Sequence, residues 1–169
     1  YFAPVRRGAP APPAAAPPPV RPLPHERRVA VEIQHDRDQL YLAWPTPALY
    51  APGDAALDVL STLLVGRRDA PLRQALLESG RALELSARQR SHELGSLFVI
   101  HAVPAPGHTL AELRGAVDRV LAGLRRTPFE AAAVAAARRR WTRRMRLGTE
   151  DLTTRAIRLG IGPRDRDHR

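Results

Sequence analysis

The sequence predicts an α+β domain: an antiparallel sheet with helices packed on one face and elements in the order β-β-α-α-β-β-α-α. Three observations predict it. Stretches that alternate apolar and polar residues, the period of a half-buried strand, come in two neighbouring pairs. Each pair is followed by two stretches of helical period, and Gly, Pro and capping residues mark the changes between them. Hairpins separated by paired helices make adjacent antiparallel strands, whose single apolar face the helices must cover.

The elements follow in chain order. Residues 3–24, APVRRGAPAPPAAAPPPVRPLP, hold nine of the 17 prolines and almost no large apolar side chain. Such a stretch packs no core and reads as a semi-rigid polyproline spacer, with a ligand for a Pro-recognition domain as the alternative. Tyr1 and Phe2 before it read as the last anchor of a preceding domain. Val29, Val31 and Ile33 alternate with Ala30, Glu32 and Gln34 as a first strand. HDRD makes a turn, after which Leu40, Leu42 and Trp44 resume the alternation until Pro45 and Pro47 end it. Asp54 caps a helix through Val65, with Leu57, Leu60 and Leu64 on one face and Gly66 as its stop. Asp69 followed by Pro71 starts a shorter helix that ends at Gly80.

Leu83, Leu85 and Ala87 then alternate with Glu84, Ser86 and Arg88 as a third strand, and LGSLFVIHAV supplies the fourth. Thr109 with Glu112 forms a capping box, opening a helix with Leu113, Val117, Val120, Leu121 and Leu124 on one stripe. Thr127, Pro128 and Glu130 repeat the start signal for a long helix with Phe129, Val134, Ala137, Trp141 and Met145 inward.

Composition narrows the function classes. At 169 residues with 44% hydrophobic content, the chain is long enough to bury a core as one domain. No apolar run approaches the roughly 20 residues of a membrane span, and the start lacks the apolar core and small-residue cleavage site of a secretion signal. Cysteine is absent, which removes disulfides and thiolate metal sites and fits the cytoplasm and the periplasm equally. The net charge of +10 raises nucleic acid or an acidic membrane surface as partners. Every basic residue is Arg, however, and Lys and Asn, whose codons are A-rich, are both missing. A GC-rich bacterial genome accounts for much of that bias, so the charge is weak evidence of function.

SHELGSLFVIH, residues 91–101, carries the one combination reminiscent of zinc-hydrolase chemistry. Such a site needs two histidines about one helical turn apart, so that both rings reach one metal while the glutamate works on bound water. His92 and His101 are nine residues apart across an extended stretch, which separates them by roughly 30 Å along a strand. His92 and Glu93 therefore read as turn residues and His101 as a strand residue. His25, His35, His108 and His168 lie in the linker, turns or tail without a partner histidine at helical spacing.

No glycine-rich phosphate loop is present, and GHTL and LGSL lack the setting of an exposed nucleophile. Glu130, Glu150 and Asp151 read as helix-terminal charges. No catalytic, cofactor-binding or metal-ligating residue is assigned, and the substrate-binding residues are left open. RRRWTRRMR, residues 138–146, turns Arg138, Arg139, Arg143 and Arg146 outward with Trp141 and Met145 on the apolar side. A solvated face, a protein contact and a nucleic-acid contact all fit that pattern.

Taken in order, these stretches resemble the second half of a zinc metallopeptidase of the M16 (insulinase/pitrilysin) family. The resemblance rests on the YF start, the Pro-rich linker, RRVAVEIQHDRDQLYLAWPTP, DAALDVLSTLL, PLRQALLESGRALELSA, GSLFVIHAVPAPG and TPFEAAAVAAARRR. It implies an interdomain linker over residues 1–28 and an incomplete C-terminal domain over 29–169. It further implies that two similar domains enclose a chamber. The zinc motif HxxEH then belongs to the preceding domain or a partner subunit, and this chain holds no cofactor of its own.

In active members a stretch like LRExxGLAYSV presents an Arg and a Tyr to the peptide substrate. Laid over it, LLESGRALELS has Leu77 and Leu83 at those positions, with Arg81 or Arg73 as the remaining donors. The resemblance therefore implies a non-catalytic domain that closes over substrate. An inactive scaffold subunit and a basic nucleic-acid-binding module are the alternatives.

Overall fold

The computed structural model describes residues 23–32, 34 and 36–147. The expectations for Tyr1, Phe2, Ile33, His35, Glu150, Asp151 and His168, and for the proline-rich stretch up to residue 22, lie outside those residues. The described elements are β1 (Leu40–Thr46), α1 (Asp54–Val65), α2 (Pro71–Arg73), β2 (Ala82–Arg90), β3 (Ser96–Pro104), α3 (Leu110–Arg126) and α4 (Ala131–Leu147). A π turn over Gln74–Glu78 continues α2.

The class is the expected one. The three strands form an antiparallel sheet in the order β1-β3-β2. Leu40, Leu42, Leu85, Ala87, Phe98, Ile100 and Ala102 turn to one face, where Leu64 of α1, Leu72 of α2, Leu76 of the π turn and Leu113, Ala116 and Val117 of α3 meet them in a single core. Leu64, Leu72, Leu76, Ile100, Leu113 and Val117 are fully enclosed. At roughly 1.5–3 kcal/mol per buried aliphatic side chain, these six supply much of the driving force for folding. α4 lies on α1 as an outer layer, not on the sheet.

Five local expectations are corrected. Residues 29–32 are not a strand: Val29 is 69% and Val31 72% exposed, and no described strand pairs with them. Alternation records an extended backbone, but a strand also needs a neighbour to complete its ladder. β1 continues through Pro45 to Thr46, because a proline without an N–H is tolerated on an outer strand. Asp54 does not cap α1; the cap is Gly53 in the left-handed region at φ 96°. Finally, Leu83 is exposed, because the register slips between Ala82 and Glu84. Leu83 is the extra residue of that bulge, which leaves Leu85 and Ala87 facing the core. Within the outer layer Val134 is 38% exposed, although Phe129, Ala137, Trp141 and Met145 turn inward.

Asp54, freed from capping, joins three parts of the chain. Only 6% exposed, it accepts hydrogen bonds from Gln89 Nε2 (2.9 Å), Ser91 Oγ (2.6 Å) and the Tyr50 backbone N–H (3.2 Å). Gln89 also donates to Thr46 Oγ1 at 2.9 Å. The start of α1, the end of β2, the β2–β3 turn and the end of β1 are thereby pinned together. The Tyr50 contact helps hold that residue in the left-handed region, at φ 63°, a conformation disfavoured for a bulky side chain.

The capping box opens α3 as expected: Glu112 N–H donates to Thr109 Oγ1 at 3.2 Å, and Thr109 N–H to Glu112 Oε2 at 2.8 Å. Ahead of β1, Glu26 ties the leading segment to the flank of α3 through Arg114 Nη2 at 2.7 Å. Arg114 and Arg28 together pull the Glu26 carboxyl from 4.5 down to about 2.

Asp54→Ala strands three donors and should cost roughly 2–4 kcal/mol in urea unfolding; a loss within experimental error would show the hub to be dispensable. A lowered carboxyl pKa means that the Glu26 contact is complete above the ordinary glutamate range and dissolves as pH falls towards about 2. Carboxyl carbon shifts in NMR should place the Glu26 midpoint there, and Arg114→Ala should move it back towards 4.5.

Candidate functional site

Sequence comparison directs attention first to the stretch from the π turn into β2. Leu76 is fully buried and Leu77 half-buried against the core, so neither projects freely outward. A π turn leaves backbone carbonyls poorly matched to the helical ladder. Here the Ala75 carbonyl accepts both Ser79 Oγ at 2.7 Å and Arg81 Nη1 at 3.1 Å. Arg73 Nε and Arg68 Nε, each 3.1 Å from a Glu78 oxygen, hold that carboxyl below its ordinary range. Arg81 and Arg73 are thus both engaged in shaping the turn. Leu83, 43% exposed on the bulge, offers an aliphatic surface and no hydroxyl.

The described histidines do not meet. His92 sits in the β2–β3 turn, where its backbone N–H donates to Ser96 Oγ at 3.1 Å and its carbonyl accepts from Leu49 N–H at 2.9 Å. His101 lies within β3 opposite Tyr41, with ring centroids 4.5 Å apart and Nε2 3.2 Å from Gln39 Oε1. His108 stands 3.3 Å from Glu112 at the start of α3, and His25 is exposed ahead of the sheet. Among the described residues no three His, Asp or Glu side chains gather as a metal site. The donors among the described residues do not fit zinc.

The basic helix face is likewise ordinary in its packing. Trp141 is half-buried on α1 and hydrogen-bonds the Asp58 carboxylate, whose pKa is raised by burial and by the charge of Asp54. Its ring is therefore not presented for stacking beside Arg138 and Arg143, which are exposed.

The arrangement that stands out is the other side of the sheet, which no described helix covers. Cross-strand register builds it in three rows: Tyr41–His101–Ser86, Ala43–Val99–Arg88 and Pro45–Leu97–Arg90. The β1 and β3 side is mainly apolar, with Tyr41 57% and Leu97 41% exposed. The β2 side is basic. Tyr41, Ser86, Arg88, Arg90, Val99 and His101 line a shallow depression of about 120 Å³ on it. Sequence reading assigned outward positions on β2 but left this surface without a role. The signal was the alternation Ala87-Arg88-Gln89-Arg90, which becomes informative only once β3 is known to lie between β2 and β1.

Comparison with known proteins places this geometry. The chain is similar in structure to a protease from Helicobacter pylori (TM-score 0.64, 19% identity, covering 72% of this chain and 30% of that one). It is also similar to a candidate zinc protease from Bordetella pertussis Tohama I (0.63, 20%, covering 72% and 68%). A third similar structure is the inactive peptidase domain of a candidate zinc protease from Bordetella parapertussis (0.63, 19%, covering 78% and 75%). The chain thus spans less than a third of the H. pylori protein, and at these identities the likeness speaks for the fold. No curated protein matches the sequence significantly. A family model described as the peptidase M16 inactive domain matches residues 1–140, and on that match the chain belongs to the M16 peptidase inactive-domain family.

Proposed function

We propose that this domain forms the non-catalytic C-terminal wall of an M16 zinc metallopeptidase, closing a chamber and touching peptide substrate with the open face of its sheet. The observation that carries the reading is the asymmetry of that sheet. Every described helix lies on one side of it or further out, while Tyr41, Val99, His101 and Arg88 form a continuous surface on the other. A face of mixed apolar and polar character suits transient contact with an unfolded chain better than permanent burial in a core.

The zinc belongs, in this reading, to a preceding M16 domain or a partner subunit, in keeping with the candidate zinc proteases among its structural neighbours. The residues of this chain orient and exclude; they do not cleave. Leu77 and Leu83 supply no guanidinium or phenol to the substrate, so any polar hold on the peptide comes from Arg88, Arg90, His101 or Ser86. Residues 1–28 then serve as the connection between the two domains and 29–169 as the domain itself.

The purified 169-residue chain should retain no stoichiometric zinc by metal analysis and should not cleave an unfolded reporter peptide. Mixing with the zinc domain of the same protein should produce cleavage above that of the zinc domain alone. Zinc binding or proteolysis by this chain alone would overturn the proposal. An accompanying domain that lacks HxxEH, with no cleavage by the mixture, would assign the pair to a scaffold role instead.

A further inference from the structure

We infer that the open sheet face selects peptide segments bearing acidic side chains at alternate positions; this rests on the substrate-contact reading above. Arg88 and Arg90 both point from β2 onto that face, two residues apart. In a strand this places their Cα atoms roughly 7 Å apart, the same-face spacing of an extended peptide. A substrate lying along the strands therefore matches the pair when its own carboxylates recur every second residue.

Charge on the face is one-sided. Arg88 and Arg90 form no ion pair with any described carboxylate, although arginines elsewhere do so at Glu26, Asp69, Glu78 and Asp118. The only acidic side chain along the outward series of β2 is Glu84, which pairs in register with Val103 beyond the Tyr41–His101–Ser86 row. It thus lies on the far side of Ser86 from the arginines. Guanidinium groups this exposed cost little to desolvate and retain their forked donors for an incoming carboxylate.

Beside the arginines, Val99 and Leu97 of β3 and Ala43 and Pro45 of β1 form an apolar strip. Aliphatic substrate side chains would cover it while the acidic ones reach the β2 column. That neighbourhood favours a peptide over a nucleic acid, which also carries regularly spaced anions. Base recognition without sequence preference relies on exposed stacking rings. Here the strip beside the arginines is aliphatic, and Tyr41 and His101 lie in the next row, opposite Ser86.

The test uses the 169-residue chain and blocked, fluorescein-labelled peptides in which two glutamates alternate with valines, read by anisotropy. Matched peptides carry glutamine or lysine in place of glutamate. The acidic peptide should bind about three- to tenfold more tightly than the glutamine peptide, the range set by two exposed charge pairs. That preference should fade at high salt. The double change Arg88→Glu and Arg90→Glu should transfer the preference to the lysine peptide, with the circular dichroism spectrum unchanged.

Equal binding of acidic and neutral peptides, both lost on Val99→Asp, would overturn the acidic preference while leaving peptide contact standing. Failure of every peptide to bind would remove the substrate-contact reading as well. Tighter binding of a single-stranded oligonucleotide of equal charge, abolished by the same arginine changes, would assign the face to nucleic acid and overturn the inference. A dimer in sedimentation that Val99→Asp dissolves would assign the face to a second copy and overturn it likewise.

Discussion

The buried carboxylate of Asp54 is the constraint on which the layout of this domain depends. A carboxylate enclosed by protein is tolerated when its oxygens are fully engaged, and here the donors come from the β1–α1 loop, the end of β2 and the β2–β3 turn. Satisfying one side chain therefore fixes where α1 begins relative to two strands. That in turn carries Leu64 into the same core as Ala87 and Ile100. The left-handed backbone at Tyr50 and Gly53 is the local accommodation of that arrangement. Burial in the same region is felt at Asp58, whose carboxyl is pushed upward and steadied by the Trp141 hydrogen bond. Core, loop and outer helix are thus linked through two acidic residues one helical turn apart.

A second consequence is the division of labour across the sheet. Because β3 lies between β1 and β2, its inward residues Phe98, Ile100 and Ala102 occupy the middle of the core, while Leu97, Val99 and His101 occupy the middle of the opposite face. The same nine-residue strand builds the packed side and the open side. On the reading proposed above, substrate contact then falls to the sheet surface rather than to the turn ahead of β2. The π turn there is consumed by its own carbonyl, which Ser79 and Arg81 satisfy.

Much of this was legible in the sequence, and the parts that were not share a cause. The periods of α1 and α3, the Thr109–Glu112 box and the stop at Gly66 are local, and structure and sequence agree on them. The class followed from the order of those local signals. What sequence could not supply was pairing. Val29 and Val31 alternate as well as Leu40 and Leu42 do, yet only the latter find a neighbouring strand. The bulge at Leu83 is set by register against Pro104 and Val103, which lie far along the chain. Asp54 followed by an apolar helix reads as a cap, and only Gln89 and Ser91, brought in by the hairpin, draw it elsewhere. The candidate face was missed for the same reason: its three rows exist only across strands.

The contact between Glu26 and Arg114 carries an implication for motion. It fastens the described segment ahead of β1 to the side of α3, with Arg114 Nη2 2.7 Å from Glu26 Oε2. Exposed pairs of this kind are individually weak and screened by salt. The contact therefore works as a latch that ionic strength can slacken, freeing the segment ahead of β1 while the folded body stays unchanged.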